Sequence, residues 1–293
     1  MCRLLGYATN DVNASLHEVL GMRACAAFRD LSVIHNDGWG AALITEPASA
    51  AHVTDGGAPS PETGSALYRN TIAAHYDPIF DDLANIGARG ALFHLRLASS
   101  NLPLILENQH PFFANGLSFI HNGDISDAHG RNITANRSYP IDHSLVQATG
   151  GRSDSAIYFA TVLQYLGVGY ELEEALAQAV GELRAAYPDS SYNCMVQSKD
   201  TFIALRAESG KPTRQGVVDV YARHGRADEA ADYSVLRYRE LGGTAGSDGR
   251  ALRGVLVSSS GYAQPESEGW RELGNNRMIV ASNRTGDYRI RSI

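Results

Sequence analysis

Long apolar runs are missing from this chain. No stretch of its 293 residues approaches the ~20 consecutive apolar positions that a bilayer-spanning helix needs. A positive field is missing too. Lys and Arg number 25 against 32 Asp and Glu, a net charge of −7, so nothing draws the chain to nucleic acid or an anionic membrane. Cysteine is scarce. Cys2, Cys25 and Cys194 are odd in number and widely spaced, which suits neither a disulfide framework nor a zinc site. A reducing cytoplasm is the expected compartment. Neither a repeated βαβ unit nor a G-x-G-x-x-G turn is found, which argues against a dinucleotide-binding sheet.

What is present is ordinary globular material, 44% hydrophobic and 19% charged, long enough to bury a large core. The hydrophobic period changes along the chain. After an opening strand, residues 14–28 read as helix, and residues 32–44 as a strand pair or bulged strand around Asp37-Gly38-Trp39-Gly40. Residues 47–62 read as a surface loop and 65–84 as a helix interrupted near Pro78. Strands follow at "GALFHLRLA" and "GLSFIHNG". Segment 124–152 has no sustained period and reads as a long excursion beside a cleft. Two helices then start near Ser153 and Leu172, before the strand-like runs "YNCMVQS", "TFIALR", "VVDVYA", "GVLVSSS" and "RMIVAS". Strands, then helices, then strands make a layered α+β fold. With no good linker, residues 2–293 read as one domain.

The chain begins "MCRLLGYA". If Met1 is removed, Cys2 carries a thiol (reference pKa about 8.5) and a free α-amine (about 7.7–8.0) on one residue, a nucleophile with its base attached. The bland alternative is a small hydrophobe on a first strand. Further polar groups sit where a strand-rich core would not want them. Alternation in "HLRLAS" puts His94 and Arg96 on one face, opposite Phe93, Leu95 and Leu97. An inward arginine needs an anion, either an internal carboxylate or a ligand's carboxylate gripped bidentately. In "FIHNGDI", Asn122-Gly123 is either a hairpin turn or a pair of donors for an oxyanion. In "GGRSDSA", Asp154 either caps a helix or holds a ligand's ammonium group. His110 in "NQHPFF" reads as a loop organiser.

In their order and rough spacing, "MCRLLGYA", "DGWG", "HLRLAS", "NQHPF", "HNGDI" and "SDS" resemble class II glutamine amidotransferases, specifically the short stand-alone members. The resemblance extends through the closing segment "GVLVSSSGYAQPESEGWRELGNNRMIV". It implies the four-layer αββα sandwich of the N-terminal-nucleophile hydrolases, with Met1 removed on maturation. It also implies that Cys2 attacks the side-chain amide of glutamine or a γ-glutamyl amide and forms a thioester. By the same resemblance Arg96, helped by Ser99, holds the substrate α-carboxylate, Asp154 holds the α-ammonium, and Asn122 with Gly123 stabilises the oxyanion. No metal or organic cofactor is implied, because the base is built into the nucleophile. Ser99 stands where threonine is common, and Ala156 where an acidic residue often follows "SDS". Two alternatives share the fold: an ammonia-supplying subunit for a separate synthetase, and a catalytically silent binding module.

Overall fold

The computed structural model describes residues 2–45, 65–98, 102–243 and 249–293. Its strands in chain order are β1 (Cys2–Thr9), β2 (Trp39–Ile44), β3 (Ser65–Asn70), β4 (Gly90–Arg96), β5 (Phe112–Ala114), β6 (Leu117–Asn122) and β7 (Asn193–Gln197). They continue with β8 (Thr201–Arg206), β9 (Leu236–Leu241), β10 (Gly254–Ser259), β11 (Arg271–Glu272), β12 (Arg277–Ser282) and β13 (Tyr288–Ser292). Two antiparallel sheets result, ordered β11-β9-β10-β1-β4-β2-β3 and β13-β12-β8-β7-β6-β5.

Strand alternation assigns the layers. Along β1, Leu4 and Ala8 face the second sheet and pack with Leu92, Ile120, Met195, Phe202 and Val257. Leu5 and Tyr7 face the other way, into a core shared with Leu16, Phe28, Phe80 and Leu83 of the helices Leu16–Leu20, Met22–Asp30 and Ile79–Asn85. On the far side of the second sheet, Phe119, Val196 and Ile203 pack with Phe159, Leu176 and Leu183 of helices Asp154–Gly167 and Leu172–Ala186. The layers therefore run helix, sheet, sheet, helix: the αββα sandwich. Gly6 is one of the positions that let the sheets close. A Cβ there would lie 2.8 Å from a Phe202 ring carbon and 2.9 Å from Leu92.

Three local expectations are corrected. Residues 32–44 hold one strand, β2, preceded by a short 3-10 turn at Leu31–Val33, so they are no strand pair. Ser65–Asn70 is a strand paired with β2, because Ala66 and Tyr68 face the helical core while Leu67 faces the sheet interface. The "VVDVYA" segment lies in a helix, Gln215–Arg223, whose Val217 and Tyr221 are spaced i, i+4 and buried against Ile34 and Tyr233. The expected surface loop at 47–62 lies outside the described residues. Within the excursion 124–152 only a 3-10 turn at Ile133–Ala135 and a short helix at His143–Ala148 are regular.

Candidate active site

β1 and β4 are neighbours in the first sheet, and their register places Cys2 directly opposite Arg96. Because alternation gives both the same face, they meet at the mouth of the inter-sheet layer. β6 ends in the other sheet at Asn122. There the two sheets are joined by polar contact: Cys2 N donates to Asn122 Oδ1 at 2.7 Å. The expected strand pattern around His94 and Arg96 is found, with Phe93 and Leu95 on the helical side.

A narrow slot of about 20 Å³ holds Cys2, Arg96, His110, His121, Gly123 and Asp154 together. That is room for about one water, so an amino-acid head group enters only if the slot widens. Ser99 lies outside the described residues, as does Met1.

Arg96 is 4% exposed, makes no ion pair with any described carboxylate, and leaves Nη1 buried without a partner among the described residues. A buried guanidinium in that state is costly unless an anion arrives. The segment that carries it is tied down by the "DGWG" turn. Asp37 N donates to the Arg96 carbonyl at 3.0 Å, Arg96 N to the Gly38 carbonyl at 2.9 Å, and Ala98 N to Asp37 Oδ2 at 2.8 Å. Gly38 has φ +117°, and a Cβ on it would lie 2.4 Å from Gln109 Oε1.

Asp154 opens its helix, and the cap proper is Ser153, whose hydroxyl accepts from Ala156 N. The carboxylate of Asp154 accepts from Ser155 N through Oδ1 and from Ile125 N and Asn132 Nδ2 through Oδ2. Those three bonds fill three of the roughly four acceptor directions of a carboxylate, leaving one on Oδ1.

Asn122 does not sit in a simple hairpin turn. Its Oδ1 accepts from Cys2 N and also from the Tyr233 hydroxyl at 3.1 Å. With the oxygen engaged twice, the amide Nδ2 is the end left for other acceptors. At Gly123 a Cβ would lie 2.0 Å from the Ser191 carbonyl, so only glycine fits beside Asn122.

The thiol environments differ sharply. Burial raises the pKa of Cys2, but in the chain before processing the positive terminus at residue 1 and the neighbouring His94 outweigh it and bring the thiol down to about 6. Burial pushes Cys25 and Cys194 up to about 12. Of the three thiols, Cys2 is the one whose surroundings favour the thiolate near neutral pH. The nearby histidines are hydrogen-bonded to one another, His110 Nδ1 lying 2.9 Å from His94 Nε2. Burial, together with the charge on His94, holds His110 well below the usual histidine range. His121 is also lowered, chiefly by burial, and spans from Ser155 Oγ to the Ser191 carbonyl. His110 is thus a neutral organiser of the site.

Sequence reasoning missed Tyr233 and Arg3. Tyr233 touches both halves of the site, donating to Asn122 and lying 3.4 Å from the Cys2 carbonyl. Arg3, fully buried, donates from Nη1 to the Tyr233 carbonyl at 2.9 Å and lies over the Tyr233 ring, 4.5 Å from its centroid. Its Nε reaches His35 and its Nη2 the Tyr221 hydroxyl. The one available signal was Arg3 itself, a charge on a strand with both faces covered.

No metal-binding cluster of His, Cys, Asp and Glu occurs among the described residues, and no described helix is long and apolar enough to cross a membrane. No protein-family model and no curated protein matches the chain. Solved structures do match. A glutamine aminotransferase class-II domain protein from Silicibacter pomeroyi is 19% identical with a TM-score of 0.57, over 99% of each chain. A predicted glutamine amidotransferase from Pseudomonas aeruginosa is 17% identical with a TM-score of 0.52, over 97% of this chain and 98% of the other. Glutamine phosphoribosylpyrophosphate amidotransferase from B. subtilis is 13% identical with a TM-score of 0.54, and 99% of this chain spans 49% of that one. A buried cysteine opening the first strand, an arginine opposite it that forms no ion pair among the described residues and a shared sandwich architecture converge: the chain has the fold of the class II glutamine amidotransferase domains.

Proposed function

We propose that this chain hydrolyses the side-chain amide of glutamine or of a γ-glutamyl compound through a thioester on Cys2. The observation that carries the reading is the contact between Cys2 N and Asn122 Oδ1 at 2.7 Å. Once Met1 is removed, that nitrogen is the α-amine. Asn122 then fixes the base beside the thiol and turns its own amide Nδ2 toward the reacting carbonyl.

The steps follow from the groups present. The α-amine takes the thiol proton, and the sulfur attacks the substrate Cδ carbonyl. Asn122 Nδ2 and the Gly123 N–H receive the oxyanion. The C–N bond breaks, and the amine leaves with the proton carried by the α-ammonium of Cys2. Water, deprotonated by the same amine, attacks the thioester, and the tetrahedral intermediate collapses to free γ-carboxylate and thiol. Arg96 pairs with the substrate α-carboxylate through the donors it leaves open. Asp154 takes the α-ammonium on its remaining acceptor direction.

The test uses 6-diazo-5-oxo-L-norleucine, a glutamine analogue with an electrophilic carbon at the amide position. Intact and peptide mass analysis of the purified chain should find Met1 lost and a single adduct on Cys2. An adduct on Cys25 instead, or no adduct at all, rejects the mechanism. Release of ammonia or amine by the purified chain alone separates a free-standing hydrolase from a subunit that turns over only with a synthetase.

A further inference from the structure

His94 is fully buried and takes no part in the steps above. The hydrogen bonds around it fix where its protons sit. Its Nε2 lies 3.3 Å from the His121 carbonyl oxygen, which can only accept, so Nε2 carries a hydrogen. The same nitrogen lies 2.9 Å from His110 Nδ1, which also receives the His121 N–H at 3.4 Å. His110 Nδ1 is therefore the acceptor in both contacts, and the hydrogen between the two rings belongs to His94. That leaves Nδ1 as the atom of His94 that can gain or lose a proton. It is buried, and no described group donates to it. Across the strand pair, Cys2 stands opposite Arg96 and Leu4 opposite His94, so His94 is a diagonal neighbour of Cys2 on the inward face. A protonated His94 favours the thiolate there, by its charge and by a hydrogen bond.

The α-amine creates the need for such an acceptor. With a reference pKa of about 7.7–8.0, most of it is ammonium at pH 7 and takes no proton from sulfur. We infer that His94 Nδ1 is a second proton acceptor for Cys2, serving while the α-amine is protonated. The inference rests on the thioester reading above. The thiol proton moves from Sγ to Nδ1, leaving a thiolate that adds to the substrate carbonyl carbon. When the C–N bond breaks, the leaving nitrogen takes a proton from the α-ammonium. The freed amine deprotonates the water that attacks the thioester. On collapse the departing sulfur recovers its proton from Nδ1. His110 and His121 do not compete for that proton, because both are held below the usual histidine range, chiefly by burial. His121 also has both ring nitrogens engaged, by Ser155 Oγ and the Ser191 carbonyl. Arg96, two residues along β4, is a constant cation, and β2 presents Gly40 opposite His94.

The experiment follows carbamidomethylation of Cys2 in the Met1-free protein from pH 5.5 to 9.5, read by peptide mass spectrometry. His94→Gln places an amide nitrogen near the position of Nε2, keeping a donor for His110 and His121, and has no titratable atom. At pH 6.5 the variant should be alkylated about 5-fold or more slowly than wild type, and at pH 9.5 less than about 2-fold more slowly. Nitrogen NMR of the wild-type protein carrying isotope-labelled histidine needs no variant to fold. His94 should keep a hydrogen on Nε2 at every pH across that range. Equal alkylation profiles, a loss of the same size at both pH values, or a His94 Nε2 without hydrogen each overturns the inference. Wild-type Cys2 that takes the diazo-oxo-norleucine adduct while the profiles are equal rejects the role of His94 alone, whereas no adduct rejects the thioester reading as well.

Discussion

The Tyr233 hydroxyl donates to Asn122 Oδ1 at 3.1 Å, across 111 residues of chain, and so determines which end of that amide faces the nucleophile. An asparagine amide has nearly equivalent ends in shape, and its orientation is decided by partners alone. Cys2 N is the other partner, and it becomes an α-amine in the processed protein, able to donate or accept. Tyr233 is the donor that fixes the oxygen in place.

Tyr233→Phe should therefore lower kcat by about 10-fold with KM nearly unchanged, less than the ~10²–10³ expected for deleting an oxyanion donor outright. Steady-state kinetics and a melting curve on the same variant check this. A fall in melting temperature with kcat intact would make Tyr233 a packing residue only.

Asn122→Ala removes the donor itself. The loss should be about 10²–10³ in kcat, because the contact is made to charge that exists only in the transition state. KM should hardly move. An unchanged kcat would mean that Gly123 and the peptide backbone suffice.

Cysteine reactivity should follow pH through Cys2 alone. In the chain before Met1 is removed, with the thiol at about 6, the thiolate fraction is small at pH 5, half at about pH 6 and nearly complete above pH 7. Carbamidomethylation by iodoacetamide should accelerate across that interval and then level off, as read by peptide mass spectrometry. Cys25 and Cys194, held up at about 12, remain thiols throughout and should stay unmodified in the folded protein.

Arg96→Lys and Asp154→Asn should each raise KM by about 10-fold or more, with a smaller change in kcat, since both are proposed to grip the head group away from the reacting carbonyl. Lysine supplies a point charge where a planar fork meets a carboxylate. An Arg96→Lys protein that loses stability but saturates normally with substrate would show that the buried arginine is structural. Asp154→Asn also weakens the bonds from Ile125, Asn132 and Ser155, so its melting temperature must be read alongside.

Much of this site was legible because short-range rules reach it. Alternation in "HLRLAS" is enough to put Arg96 on an inward face, and an Asn-Gly pair at a strand end is visible as an interruption. The strand-like reading of "VVDVYA" failed because β-branched residues signal burial as much as strand. The segment is helical because Val217 and Tyr221, four apart, meet Ile34 and Tyr233 across the fold. Tyr233 itself sits in a stretch with no period, and its partners Asn122, Cys2 and Arg3 are all distant in sequence. Nothing local marks it. The role of "DGWG" was equally hidden, since Asp37 acts by holding the backbone after Arg96.

The pairing of Cys2 opposite Arg96 on adjacent strands makes the sheet a gauge of substrate length. If Cys2 is the nucleophile and Arg96 the head-group anchor, as proposed, backbone hydrogen bonds between β1 and β4 hold the two at a separation that no loop movement rescales. On that proposal, a side chain one methylene shorter than glutamine falls short of Cys2 while its carboxylate stays on Arg96. Asparagine should be rejected on that ground alone, by about the 1–3 kcal/mol that one misplaced methylene is worth.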